Sequence, residues 1–313
     1  EQRQTERLHH EQTQRMRVVI VSLISGLLMA SLLLVFIIRI LKIKKRANEQ
    51  LDAVHTAVIE SMHYSQRIQM AVIPSDEFIK SLFPQSFVYY RPRDIVSGDF
   101  YYTAKCGRYS VFVVSDCTGH GIPGGFLSML GISSLKEFLV TEEDAANPGS
   151  VLDRMRTFFK EALGSSNDSL MPMYDGMDII ICSFDLENQN LVYASANLRG
   201  YIIRCGEVIK LQGDKMPVGR YFVEKEHFQT LSTPLQSGDM VYLCTDGIQD
   251  QTGDPDAEHP FGKKFMTSKL ITILTDMSPL PLDMQIFTID GVVTQWRGPF
   301  DQIDDITLVG IRI

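Results

Sequence analysis

Between Val18 and Ile38 the chain reads VVIVSLISGLLMASLLLVFII, without one charged side chain. Wound as a helix at ~1.5 Å per residue, such a run crosses a ~30 Å hydrocarbon core. A core helix of a soluble protein is seldom apolar on every face for so long. The run also exceeds the apolar region of a signal peptide, and no small-residue cleavage site follows it. A retained transmembrane helix over 18–38 is predicted. Arg39, Lys42, Lys44, Lys45 and Arg46 crowd its C-terminal end, whereas the other end has Arg15 and Arg17 nearby and then Arg3 and Arg7 diluted by Glu1, Glu6 and Glu11. Excess Lys and Arg mark the cytoplasmic side, which places the residues after 38 inside. Residues 1–17 then read as an extracytoplasmic juxtamembrane stub. Because the chain opens on Glu1 rather than Met, it is read as part of a longer polypeptide.

Residues 39–73 form the expected helical linker. From Ala47 to Ile73 there is neither Gly nor Pro, and Leu51, Val54, Val58, Met62, Ile68 and Val72 recur at three- and four-residue steps up to Pro74. Ser61 and Ser65 interrupt the stripe, so it pairs with a second copy in a homodimer or packs on the domain that follows.

The 313 residues leave ample length for a domain over 74–313. A net charge of −8, from 38 acidic and 30 basic residues, argues against nucleic acid as a partner. The five cysteines are scattered without a CxxC pair, which disfavours a disulfide framework or zinc knuckle. Short apolar runs such as FVYYR, YSVFVVSD, MDIIICSFD, DMVYLCTD and DITLVGIRI alternate with turns. Helices are predicted over 126–140, 151–163, 264–277 and 282–295. Strands come in consecutive runs, so an α+β fold with packed antiparallel sheets is preferred to a doubly wound one. No GxGxxG or Walker-type motif supports nucleotide binding.

Asp99, Asp116, Asp246 and the Asp304–Asp305 pair each stand at the end of a strongly apolar run. One such aspartate is ordinarily a turn cap. Four, with no basic residues beside them, fit better as a shared cation site, since a carboxylate at a buried strand end needs a partner to stay ionised. Oxygen ligands without His or Cys clusters select hard cations, Mg²⁺ or Mn²⁺. Such cations activate water and clamp phosphate oxygens, so phosphate ester hydrolysis is the expected chemistry.

The strings VSGDFYY, SDCTGHGIPGGFLSMLG, TDGIQDQTG and QIDDITLVGIRI, in this order, closely resemble the stage II sporulation E (SpoIIE) type of metal-dependent serine/threonine phosphatase, a bacterial branch of the type 2C protein phosphatase superfamily. The resemblance runs from about Ser65 to Ile313. It implies a four-layer αββα sandwich of two antiparallel sheets flanked by helices, with two Mn²⁺ or Mg²⁺ ions at one edge. Asp116 would bridge both ions, Asp246 and Asp304 would complete one, and Asp99 with the backbone carbonyl of Cys117 would serve the other. Asp305 would stand behind the ligands. His120 is similar to a histidine that donates a proton to the leaving alkoxide, its alternative being to hold the Gly-rich turn. Arg93 is a candidate phosphate contact or an exposed strand-end arginine. The DGMD at Asp175–Asp178 looks like a family feature or a hairpin turn and receives no ligand role. After Asn197 this chain has Leu198-Arg199-Gly200 where relatives carry a small or Pro-containing turn, which leaves only local surface shape in doubt.

Kinship further implies a phosphoprotein substrate, an anti-sigma-factor antagonist or similar STAS-domain protein, and regulation through the linker helices. The enzyme would be a single-pass protein of the inner (cytoplasmic) membrane of a bacterium with its phosphatase domain in the cytoplasm. Two other readings compete. A membrane helix followed by His55 and His63 outlines a sensor histidine kinase, but no ATP site follows. A catalytically inactive phosphatase-fold scaffold would have to fail despite a full set of candidate ligands.

Overall fold

The computed structural model describes residues 2–164, 175–254 and 261–313. The chain divides into two units, one reaching to Ser61 and the other Met62–Ile313. Helix α1 (Gln2–Val72) is unbroken and stops just before Pro74, whose ring disfavours helical conformation in the residue ahead of it. Its portion in the first unit contains an 18-residue window of mean hydropathy 2.8, none of it buried. That helix is long and apolar enough to cross a membrane. Leu51 and Val54 are also exposed on it.

In the second unit, α1 is followed by α2 (Asp76–Leu82), β1 (Ser86–Arg91), β2 (Phe100–Cys106), β3 (Tyr109–Cys117), α3 (Gly121–Phe138), α4 (Glu142–Ala146) and α5 (Pro148–Gly164). Strands β4 (Gly176–Asp185), β5 (Asn190–Ala196), β6 (Arg199–Arg204), β7 (Glu207–Gln212), β8 (Val218–Gly219), β9 (Leu231–Pro234) and β10 (Met240–Cys244) come next. The chain ends with α6 (Gly247–Asp250), β11 (Thr252–Gly253), β12 (Lys263–Lys264), α7 (Thr267–Met277), α8 (Leu282–Arg297) and β13 (Ile306–Arg312).

Two antiparallel sheets carry the fold. One is ordered β1-β13-β10-β6-β7; the other β2-β3-β4-β5-β9 with β8 added to β4. The period-two alternation of the strands sorts their side chains between two cores. On β10, Val241 and Leu243 join the core between the sheets, while Met240, Tyr242 and Cys244 turn outward beneath α7 and α8. On β13, Val309 and Ile311 face inward, whereas Ile306 and Leu308 face the helices. Leu135 of α3 and Leu152, Met155 and Phe159 of α5 are buried with the other sheet. The result is the helix–sheet–sheet–helix layering of an α+β sandwich.

Three helix starts differ from the sequence expectation, and that of α5 lies at Pro148 rather than 151, since proline is tolerated in a first helical turn. Helix α3 begins at Gly121, because Pro123 is tolerated in a first helical turn and Gly124 and Gly125 lie in the helix, buried too tightly for a side chain. Helix α7 begins at Thr267 because Lys263–Lys264 pair with Thr252–Gly253 in a small ribbon.

Candidate active site

Each candidate aspartate is delivered by the end of a strand. Strand β3 closes on Asp116 and Cys117, and Asp116 stands opposite Asp178 in the β3–β4 ladder. Asp99 immediately precedes β2, which pairs with β3. In the other sheet Asp246 lies just beyond β10, and Asp304 just before its neighbour β13. Both sheets therefore present carboxylates at one shared edge. Asp116, Cys117, Thr118, Gly119, His120, Asp178 and Asp304 line an open cavity of about 240 Å³ there. A second cleft of about 170 Å³ has Asp178 and Asp246 in its wall together with Asn197, Arg199 and Gln249.

The turn after β10 needs glycine: a Cβ on Gly247 would lie 1.9 Å from the Asp305 carbonyl oxygen. That close approach brings Asp246 against the 304–305 segment. Asp305 itself turns to the backbone, its Oδ1 accepting the Arg93 N–H and its Oδ2 the Gly98 N–H, each at 2.7 Å. It thereby clamps both ends of the segment leading into Asp99.

Electrostatically the edge is out of balance. Asp99 is fully buried, and burial pushes its carboxyl well up; hydroxyls of Thr307 and Thr245, each at 2.7 Å from Oδ2, work against this, and Asp305 and Asp304 add to it. Asp116 is pushed well up by burial and by the charges of Asp99, Asp246 and Asp304. Burial likewise raises Asp246, which lies within hydrogen-bonding reach of Asp116, and Asp304, whose Oδ1 accepts the Asp305 N–H at 2.9 Å. Asp178 is raised to about 6 by burial, although the Asn197 side-chain amide donates to its Oδ1 at 2.8 Å. Among the described residues no Lys or Arg lines the 240 Å³ cavity to offset these charges.

This donor set fits hard cations. Among the described residues no donor reaches the buried Oδ1 of Asp246, and carboxylates that raise one another stay ionised together when positive charge stands between them. Among the described residues no three His, Cys, Asp or Glu side chains already close around a single ion. Mg²⁺ and Mn²⁺ sites commonly complete their shells with water rather than with an all-protein cage.

The remaining sequence candidates fall around the cavity. His120 lines it as the N-cap residue of α3, with Nδ1 2.8 Å from Asp94 Oδ2. Arg93 donates through Nη1 to the Ile303 carbonyl at 2.9 Å, so its guanidinium is engaged with the loop before Asp304. Cys117 is buried and its thiol pushed well up by burial and by Asp116, a poor setting for a thiolate nucleophile.

Three participants carry no signal in the sequence, and a fourth, Asp178, receives no ligand role from it. The DGMD string fits a turn equally well, and the register of Asp178 opposite Asp116 is what brings it to the cavity. Thr245 and Thr307 each adjoin an apolar strand run and look like ordinary β-formers until both reach Asp99. Gln69, buried at the end of α1, donates to the Ser97 carbonyl at 2.6 Å and to Ser128 Oγ at 2.8 Å.

The family model for stage II sporulation protein E (SpoIIE) matches residues 107–313, most of the chain. The chain belongs to the SpoIIE family. Solved structures share its fold. The SiaA-PP2C domain of Pseudomonas aeruginosa is 26% identical, with a TM-score of 0.72 over 83% of this chain and 99% of that one. The PP2C phosphatase domain of the cell fate determinant SpoIIE from Bacillus subtilis, solved with a fragment of its regulatory domain, is 20% identical at TM-score 0.55, covering 73% of this chain and 63% of that one. The catalytic domain of the serine/threonine protein phosphatase PstP, in complex with two manganese ions, is 16% identical at TM-score 0.51, covering 72% and 96%. No curated protein sequence matches. This SpoIIE-family chain thus has a PP2C-type phosphatase fold.

Proposed function

We propose that this chain is a membrane-anchored protein serine/threonine phosphatase, hydrolysing phosphoserine and phosphothreonine esters by direct attack of water. The observation that carries the reading is the convergence of Asp99, Asp116, Asp246 and Asp304 from two sheets at one edge, with Asp246 Oδ1 buried and donorless. Asp116, Asp246, Asp304 and Asp99, with the Cys117 carbonyl, would hold two Mn²⁺ or Mg²⁺ ions. Bound there, the ions supply Lewis acidity that activates water and neutralises phosphate oxygens. Thr245 and Thr307 orient Asp99, Asp305 fixes the segment that carries it, and His120 gives a proton to the departing serine oxygen.

The anchor is the apolar helix over 18–38, and the phosphatase domain over 74–313 lies on the cytoplasmic side of a bacterial inner membrane. Residues 39–73 are the regulatory linker, and a homodimer paired through their exposed Leu51 and Val54 is the assembly this reading favours. The substrate is a phosphoprotein, with a STAS-domain anti-sigma-factor antagonist as the partner that family membership favours.

The test is phosphate release from p-nitrophenyl phosphate and from a phosphoserine protein by the full chain, with and without Mn²⁺. Mn²⁺-dependent turnover that Asp116→Asn and Asp246→Asn abolish is expected. Wild-type turnover no higher than that of the variants would instead favour an inactive scaffold.

A further inference from the structure

The segment joining β1 to β2 holds Asp94 against His120. Oδ2 of Asp94 lies 2.8 Å from His120 Nδ1, and both side chains are about half exposed. Ion pairs this exposed contribute little to stability, so the contact's value lies in geometry. That geometry is built from both sides. Asp305 grips the Arg93 and Gly98 amides, and Arg93 Nη1 holds the Ile303 carbonyl, which fixes Asp94 relative to Asp304. On the other side His120 sits between Gly119 and Gly121, both at positive φ, and a Cβ on Gly121 would come within 3.3 Å of Asp94 Oδ2.

The other titratable side chains lining the cavity are Asp116, Cys117, Asp178 and Asp304. Three of these are already assigned to the cation site or to its ladder partner, and Cys117 contributes its carbonyl. An imidazole with Nδ1 committed to a carboxylate has one nitrogen left for a ligand, Nε2, and its tautomer and plane are set by that partner.

We propose that Asp94 is the positioning residue of His120: it accepts a hydrogen bond from Nδ1–H, so that the doubly protonated ring presents its Nε2–H to the ester oxygen of the substrate. This rests on the phosphatase reading above. As the oxygen of water bonds to phosphorus, the bond from phosphorus to the serine oxygen breaks. The serine oxygen leaves with the bonding pair and takes the Nε2 proton. The proton lost by the water passes to solvent, which re-protonates the imidazole after phosphate departs. General acids of this kind contribute ~10²–10⁴-fold, and only where the leaving group needs a proton. A serine alkoxide needs one, whereas p-nitrophenolate is stable without.

The experiment compares the Mn²⁺-loaded full chain with Asp94→Asn, Asp94→Glu and His120→Gln on a phosphoserine protein and on p-nitrophenyl phosphate. Asp94→Asn is expected to lower kcat on phosphoserine at least ~10-fold with KM unchanged, as part of the general-acid effect. It should lower kcat on p-nitrophenyl phosphate far less, and Asp94→Glu should recover part of the loss. In the metal-free chain, ring ¹⁵N resonances absent from His120→Gln identify His120, and Asp94→Asn should shift them toward a mixed tautomer. Equal losses on both substrates, or unchanged His120 resonances in Asp94→Asn, would overturn the assignment. A wild-type chain with no Mn²⁺-dependent turnover on either substrate would remove the phosphatase reading itself, and this assignment with it.

Discussion

The hydroxyl of Thr245 donates to Oδ2 of Asp99 at 2.7 Å, tying the end of β10 in one sheet to the start of β2 in the other. The same Thr245 oxygen accepts the Thr307 N–H at 3.0 Å. Valine at 245 keeps the shape of the side chain but leaves that amide without its acceptor and Asp99 with one donor fewer. Thr245→Val is expected to cost about 1–3 kcal/mol, the usual cost of stranding buried polar groups. Chemical unfolding of the metal-free chain measures it, and Asp99 is expected to bind Mn²⁺ more weakly once its orientation is loosened.

Gln69 makes three buried hydrogen bonds at once, to the Ser97 carbonyl, to Ser128 Oγ and from the Ser97 N–H. Ser97 lies two residues before Asp99, so the end of α1 is joined to the segment that carries a candidate ligand. Gln69→Leu should lower stability by about 2–3 kcal/mol, since buried partners on two elements are left unmet. If regulation reaches the site through this helix, the Mn²⁺ concentration for half-maximal turnover should also rise. Unfolding and a Mn²⁺ activation curve read the two effects separately.

Much of this architecture could be read from the sequence, and the exceptions have a common cause. Strand runs, the apolar helix and the strand-end aspartates are written locally, as period-two alternation, an uncharged stretch, and acidic residues beside apolar ones. Thr245, Thr307 and Gln69 act only through partners far along the chain, and their own neighbours in sequence give no sign of it. GIPGG is a turn signal by composition and puts the expected start of α3 at 126, yet Gly124 and Gly125 are held helical by packing against Val96 and the Gly119 turn. Asp178 was visible but ambiguous, and only the ladder opposite Asp116 sets it apart from a turn residue.

Burial lifts the Asp178 carboxyl from 3.8 to about 6, which fixes the sign of a pH effect. A carboxyl raised in the folded state favours the protonated form. Its contribution to stability is therefore full below about 4 and is lost as pH rises toward about 6. In the metal-free chain Asp178→Asn should flatten the fall in stability across that window, by up to about 2 kcal/mol at pH 7. Urea unfolding of both proteins at several pH values checks it.

Asp144 has the opposite sign. Burial opposes its ionisation, but hydrogen bonds from the Thr141 amide and hydroxyl, from Arg154 and from the Val140 amide outweigh it and hold the carboxyl at about 2. With Thr141 it forms the capping box of α4. Its stabilisation is present above about 3.8 and is lost as pH falls toward about 2. Asp144→Asn should cost on the order of 1 kcal/mol at neutral pH, the usual loss for a helix cap, and approach zero near the lower limit. Thermal unfolding at pH 7 and in acid compares the two.

The central claim is that these carboxylates converge on divalent cations, and calorimetric titration of the metal-free full chain with Mn²⁺ tests it most directly. Two ions per chain are expected, with a heat that varies with the ionisation enthalpy of the buffer, because raised carboxyls must release protons to bind metal. Asp116→Asn and Asp246→Asn should each abolish tight uptake. Absence of saturable binding by the wild-type chain, or binding that both substitutions leave intact, would contradict the account.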